Sequence, residues 1–171
     1  MYLQLTGSNT AAVNIAYDQS VSMFYGVRIY SNTGKGVSMN NSASFFYCEI
    51  DTNTDIGIHT NQYFTATIVN CYIHNNTDYG ISSRDGSNSA SGCEIIRSVV
   101  ESNSKSGLEM GGADGAGISA QNCVFYNNTG ASSDGINMLS DNGNGRLACA
   151  ANIFNCIFDS NGRYGLNGNY N

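Results

Sequence analysis

The sequence repeats itself, and the repeat restricts the fold more than any other feature of the chain. An Asn followed four residues later by Gly recurs as Asn32/Gly36, Asn53/Gly57, Asn76/Gly80, Asn103/Gly107 and Asn161/Gly165. Asn128/Gly135 is the same pair with three residues inserted. An apolar-x-x-Cys-x-apolar pattern precedes each Asn, and an aliphatic residue follows each Gly. The clearest copies read IVNCYIHNNTDYGIS from Ile68 and IFNCIFDSNGRYGLN from Ile153. Successive Gly anchors lie 21, 23, 27, 28 and 30 residues apart, and Leu3, Leu5, Ala12 and Val13 fill the corresponding slots near the N-terminus. A unit this short cannot bury its own apolar face, so repeated copies stack into a solenoid with one continuous core. A leucine-rich horseshoe would need a Leu-dominated repeat with helical segments, and the chain has neither.

Composition favours β rungs with tight corners. Of 171 residues only 12% are charged, about half the usual share, and there is no Pro or Trp. Asn, Gly, Ser and Thr fill the gap, which suits a surface of turns whose amides bond locally. Three short strands per rung, with rungs about 4.8 Å apart, would stack equivalent positions into columns. One inward column reads Val27, Cys48, Cys71, Ser98, Cys123 and Cys156. A second reads Ile29, Ile50, Ile73, Val100, Phe125 and Phe158, and a third Val37, Ile58, Ile81, Leu108, Ile136 and Leu166. The structural ladder Asn32, Asn53, Asn76, Asn103, Asn128 and Asn161 is expected to hold a sharp αL corner and to bond from rung to rung. Residues 1–171 are expected to form a single domain without complete polar caps at its ends.

The repeat resembles that of right-handed parallel β-helix proteins, among them pectate lyases, polygalacturonases, tailspike endoglycosidases and alginate epimerases. The resemblance covers nearly the whole chain and implies an all-β, right-handed, single-stranded parallel β-helix of about seven rungs. It does not carry the activities with it. The paired Asp, GHG and RIK of polygalacturonases are absent, and the DPHE of alginate epimerases cannot exist without Pro. The pectate-lyase calcium carboxylates and catalytic Arg have no counterpart among the scattered Arg28, Arg84, Arg97, Arg146 and Arg163.

The net charge of −6, with seven Lys plus Arg, argues against a nucleic-acid partner. No stretch approaches eighteen apolar residues, so membrane insertion is not expected, and MYLQLTGSN has neither the basic end nor the apolar run of a signal peptide. The six cysteines are expected to stay reduced. Four share one inward column, and Cys93 shares another with Ser22, Ala43, Ala66, Ile118 and Ala151. Stacked in register, their Cβ atoms lie about 4.8 Å apart, beyond the usual disulfide separation.

The best acid–base cluster lies on the outward column Tyr30, Asp51, His74, Glu101, Tyr126 and Asp159. Asp51, His74 and Glu101 fall on three consecutive rungs and are the candidate catalytic residues. Their two carboxylates would be about 9–10 Å apart, near the upper end of the inverting-glycosidase range. Glu49 and Arg28 lie beside them. Longer connections at 84–92, 111–117, 129–134 and 140–147 carry Asp85, Asp114, Asp134 and Asp141. Sharing one edge, they would form a rim able to take glycan or calcium, the one cofactor the chain suggests, and the DNGNG run starts at Asp141. Turn chemistry alone accounts for such pairs. Sequons stand at Asn40, Asn75 and Asn127.

A second outward column is apolar: Tyr25, Phe46, Val69, Ile96, Gln121 and Phe154, continued past the corner by Tyr72, Val99, Val124 and Ile157. A stripe this long reads as an interface, with Tyr25, Phe46, Val69, Ile96 and Phe154 as its contacts and another copy as partner, in a lateral trimer or by end-to-end stacking. Two function classes follow. One is a structural or carbohydrate-binding module of an extracellular or virion appendage such as a tail spike, fibre or surface adhesin, with surface polysaccharide as a ligand. The other is a polysaccharide lyase or glycoside hydrolase working through Asp51, His74 and Glu101.

Overall fold

The computed structural model describes residues 3–17, 21–61, 63–84, 91–111, 116–139 and 149–168, which hold twenty strands and, among the described residues, no helix. The first ten strands are β1 (Leu3–Leu5), β2 (Ala11–Ile15), β3 (Ser22–Tyr25), β4 (Val27–Tyr30), β5 (Lys35–Met39), β6 (Ala43–Phe46), β7 (Glu49–Asp51), β8 (Ile58–Thr60), β9 (Thr65–Val69) and β10 (Tyr72–His74). They are followed by β11 (Ile81–Arg84), β12 (Gly92–Ile96), β13 (Val99–Glu101), β14 (Leu108–Gly111), β15 (Ala116–Gln121), β16 (Val124–Tyr126), β17 (Ile136–Met138), β18 (Cys149–Phe154), β19 (Ile157–Asp159) and β20 (Leu166–Gly168). Every third strand pairs in parallel. Sheet 1 holds seven strands from β1 to β19, sheet 2 seven from β2 to β20, and sheet 3 six from β3 to β18, so the stack falls slightly short of seven rungs.

Register follows the repeat. Ile29, Ile50, Ile73, Val100, Phe125 and Phe158 face one another across sheet 1, and Val37, Ile58, Ile81, Leu108, Ile136 and Leu166 across sheet 2. Alternating side chains send these residues inward, where most are fully buried. Wide residues stack on wide ones, with parallel rings 5.1 Å apart for Phe24 and Phe45 and 5.2 Å apart for Phe125 and Phe158.

The ladder forms, but its asparagines do not take the αL conformation. That role falls to the residue before each: Ser31, Thr52, Asn75, Ser102, Asn127 and Ser160, with φ of 52–54°. The αL residue makes the corner, which leaves the next side chain free to point inward. There Asn32, Asn53, Asn76, Asn103 and Asn128 are fully buried. Each amide nitrogen donates to the next amide oxygen at 2.8–3.0 Å, ending on Asn161. The same oxygen also accepts the backbone N–H below it at 3.1–3.2 Å. The Gly four residues on is required by close approach: a Cβ at Gly57 would lie 2.5 Å from the Gly80 carbonyl oxygen and 2.9 Å from Asn76 Nδ2.

The other corner works alike, with αL at Tyr47, Asn70, Arg97, Asn122 and Asn155 and an inward Cys or Ser next. Cys48, Cys71, Cys93, Cys123 and Cys156 are free thiols, all but the last buried. In place of a disulfide, Cys71 Sγ donates to the Val69 carbonyl at 3.4 Å and Cys123 Sγ to that of Gln121 at 3.1 Å. Three of the longer connections (84–92, 111–117 and 140–147) fall in the sequence between a sheet 2 strand and a sheet 3 strand, and most of their residues lie outside the described ones. The fourth, 129–134, falls elsewhere: it joins β16 to β17, on the sheet 1 to sheet 2 corner.

Candidate functional site

Among the described residues a polar column runs along sheet 2 (Ser38, His59, Ser82, Glu109, Asn137 and Asn167), with Ser82, Glu109 and Asn137 buried, and two other places gather polar side chains beside aromatic rings. The first is the face of sheet 1, where Tyr30, Asp51, His74, Glu101, Tyr126 and Asp159 stand in register. The candidate catalytic residues are thus neighbours, on β7, β10 and β13, yet each is held by other side chains. Arg28 Nε and Nη2 each donate to an Asp51 carboxylate oxygen at 3.0 Å, and the Thr52 hydroxyl adds a bond at 2.7 Å. Burial works against the charge on Asp51, but Arg28 and Thr52 outweigh it and hold the carboxyl below its ordinary range.

Glu49 lies 3.4 Å from Arg28 Nε and 3.2 Å from His74 Nε2. Asn75 Nδ2 lies 2.8 Å from His74 Nδ1, so the network assigns the imidazole proton to Nε2. Tyr72 stacks on His74 at 3.9 Å and donates its hydroxyl to Glu101. Desolvation first, and Glu101 second, push that hydroxyl up to about 12.

This network binds itself. A general acid needs a carboxyl with a raised pKa, and Asp51 has a lowered one. Glu49, Asp51 and His74 have ligand atoms within 4.8 Å of one another and are the residues that could hold a metal. A cation there would have to displace the Arg28 guanidinium from both Asp51 oxygens. Of the expected acidic rim, Asp134 is fully buried and gripped by Arg163 at 3.1 and 2.7 Å, so it is part of the framework. Asp85, Asp114 and Asp141 lie outside the described residues. The tripeptide Asn-Thr-Asp, one element of the polygalacturonase signature, does occur, at 53–55 and 76–78. Both times its Asn is a ladder amide. Asp55 accepts the Ile56 N–H at 2.9 Å, and Asp78 pairs with Lys105 at 2.9 Å, so the motif serves the corner.

The second place is a cleft of about 700 Å³ where the first turns of sheet 2 lead into sheet 3. Asn14, Ala16, Tyr17, Asn40, Asn61, Tyr63 and Phe64 line it, and none carries a formal charge. Asn40 and Asn61 follow the last residues of β5 and β8, and their backbone N–H groups bond to Ile15 and Met39 one turn earlier, at 2.7 and 2.9 Å. Their side chains pair, Asn61 Nδ2 donating to Asn40 Oδ1 at 2.7 Å. That bond leaves the Asn40 amide hydrogens and the Asn61 carbonyl oxygen for other uses. Tyr17 meets Phe64 edge-on at 6.0 Å. Tyr17 is 78% exposed and Tyr63 69%, a large apolar area to leave in water.

Sequence reasoning missed this cleft. In the sequence Asn40 stands out only as a sequon, and Tyr17, Asn61, Tyr63 and Phe64 sit in connections where the repeat has no fixed spacing. The available signal was the coincidence of aromatics with an Asn directly after two successive sheet 2 strands.

The sequence matches the family described as right-handed β-helix region over residues 11–171. With its three parallel sheets and asparagine ladder, the chain belongs to that family. No curated protein and no solved structure matches it.

Proposed function

We propose that the chain is a carbohydrate-binding β-helix module of the kind carried by extracellular or virion appendages, with the cleft of Tyr17, Asn40, Asn61, Tyr63 and Phe64 as its ligand site. The observation that carries this reading is a lining of exposed aromatic rings beside amides, with no formal charge among the described residues that form it. A pyranose presents C–H faces and a rim of hydroxyls. Tyrosine rings cover the first, and an amide that both donates and accepts suits adjacent hydroxyls on the second. The volume falls within the range of about 300–1,000 Å³ typical of ligand sites. Covering about 50 Å² of a tyrosine face contributes about 1.3 kcal/mol, roughly tenfold in affinity.

The alternative, a lyase or hydrolase acting through Asp51, His74 and Glu101, is weakened by the commitment of Asp51 to Arg28 and of Glu101 to Tyr72. The test is calorimetry with cellohexaose, laminarihexaose and mannohexaose, against polygalacturonate as the charged comparison, together with a reducing-sugar assay on the same ligands. A neutral hexasaccharide should bind, Tyr63→Ala should weaken it about tenfold, and no reducing ends should appear. Unchanged affinity in Tyr63→Ala, or no binding of any neutral probe, would sink the assignment of the cleft. Sugar release abolished by Asp51→Asn would put the enzyme reading in its place.

A further inference from the structure

The corner between sheets 3 and 1 contains one costly choice of residue. At Asn70, Asn122 and Asn155 the αL position is filled by Asn, which tolerates it well, and on another rung by Arg97. One rung before Asn70 the same position holds Tyr47, with φ of 54°. A bulky ring in αL is strained, and strain of this kind clusters where side chains bind ligands. Tyr47 stays 50% exposed, so core packing does not account for it.

Tyr47 borders a pocket of about 290 Å³ whose other walls are Cys48, Glu49, Asn70 and Tyr72. Tyr47 and Glu49 stand on one rung and Asn70 and Tyr72 on the next, with Tyr72 and Glu49 in register. Each tyrosine is braced by a second ring: Tyr25 packs on Tyr47 at 5.2 Å, and His74 stacks on Tyr72 at 3.9 Å. The polar walls keep bonding capacity. One Glu49 oxygen lies 3.2 Å from His74 Nε2, and the other lies 3.4 Å from Arg28 Nε, which donates to Asp51 instead. Asn70 accepts from Arg97 Nε at 3.0 Å, which leaves its amide hydrogens for a ligand hydroxyl.

We propose that this corner binds an organic ammonium ion, held against the Tyr47 and Tyr72 rings with its charge beside the second oxygen of Glu49. A tyrosine face carries the negative part of the ring quadrupole and attracts a cation within about 6 Å. The formal charges lean the same way. Glu49, Asp51 and Glu101 stand against Arg28 and the exposed Arg97, in a chain of net charge −6. After desolvation, the charges of Glu101, Glu49 and Asp51 add to the raised pKa of the Tyr72 hydroxyl, which sets that ring in a negative potential. No bond of the sheet 1 network has to break, because the ligand takes ring faces, one carboxylate oxygen and the Asn70 amide. The volume is just below the usual range for ligand sites of about 300–1,000 Å³ and suits one choline-sized group or one amino-sugar ring. The inference stands whether or not the cleft binds sugar.

The test is calorimetry on the intact chain at neutral pH with choline, ethanolamine and glucosamine. Two uncharged counterparts, 3,3-dimethylbutan-1-ol and N-acetylglucosamine, run beside them. At least one amine should bind with a dissociation constant of about 1 mM or below, and its counterpart about tenfold more weakly. Whether choline or glucosamine binds more tightly tells a quaternary headgroup from an amino sugar. Tyr47→Asn installs the residue found at the Asn70, Asn122 and Asn155 corners, so thermal melting should hold or rise while amine affinity falls about tenfold. Glu49→Gln should lower both the affinity and its sensitivity to salt. Tyr63→Ala, which removes a ring of the cleft, should leave amine binding unchanged. No binding of any amine at about 10 mM, equal affinity for the uncharged counterparts, or unchanged affinity in Tyr47→Asn would each overturn the site.

Discussion

Replacing Asn76 with Ala takes the middle amide out of the ladder, and the structure allows the consequence to be worked bond by bond. The Asn76 oxygen accepts the Asn53 backbone N–H at 3.2 Å and Asn53 Nδ2 at 2.9 Å. Its nitrogen donates to Asn103 Oδ1 at 3.0 Å and to the Ile50 carbonyl at 3.3 Å. In the variant, Asn53 Nδ2 keeps the Ile29 carbonyl at 3.4 Å, and Asn103 Oδ1 keeps the backbone N–H of residue 76 at 3.1 Å. The Asn53 backbone N–H loses its acceptor in a region without solvent access. One stranded donor costs about 1–3 kcal/mol and each weakened bond about 0.5–1, for a loss of about 3–4 kcal/mol. Asn161, at the half-buried end of the ladder, should lose only about 1 kcal/mol on the same change, because water can reach what it leaves. Urea unfolding followed by far-UV circular dichroism measures both losses. A slope that falls with Asn76→Ala would mean that the stack divides at that rung. Hydrogen exchange at the Asn53 amide reports the stranded donor directly. Equal losses at 76 and 161, or unchanged protection at Asn53, would refute the assignment of stability to the ladder.

Two further expectations concern titratable groups. The Asp51 carboxyl lies below its ordinary value in the folded chain, so its contribution is fully present above the unfolded value of about 3.9 and fades as pH falls through the folded one. Between pH 5 and pH 2 the urea midpoint should therefore drop less in Asp51→Asn than in the unaltered chain, and equal drops would count against the clamp. Burial pushes the Cys123 thiol up to about 11, so it should resist a thiol reagent at pH 8 in the folded state, with Cys156 the first of the column to react. All six cysteines should titrate after denaturation, and disulfides found by non-reducing mass mapping would contradict the stacked column.

The sequence carried the solenoid because its constraints are local and periodic. Ile50, Ile73 and Val100 face one core, and any slip by one residue would turn all three to solvent. The αL corner lies one position before the ladder Asn, although Asn is a usual tenant of that conformation. Here the ladder amides must point inward, which hands the corner to Ser31, Thr52 or Ser102. Register also put Asp51, His74 and Glu101 together correctly, but register says nothing about how side chains pair. Arg28 at Asp51 and Tyr72 at Glu101 are choices of rotamer between neighbouring columns. The cleft was least legible, since Tyr63 and Phe64 lie in a connection whose length changes from turn to turn.

What separates the two polar surfaces is whether their groups are already spent. On sheet 1, Arg28, Glu49, Asp51, His74, Tyr72 and Glu101 form a closed set of partners, and a ligand entering there would have to break bonds at 3.0–3.2 Å before making its own. In the cleft, the rings of Tyr17 and Tyr63 face water, and the Asn40–Asn61 pair uses only part of its capacity. The cleft also opens at the start of the sheet 3 strands.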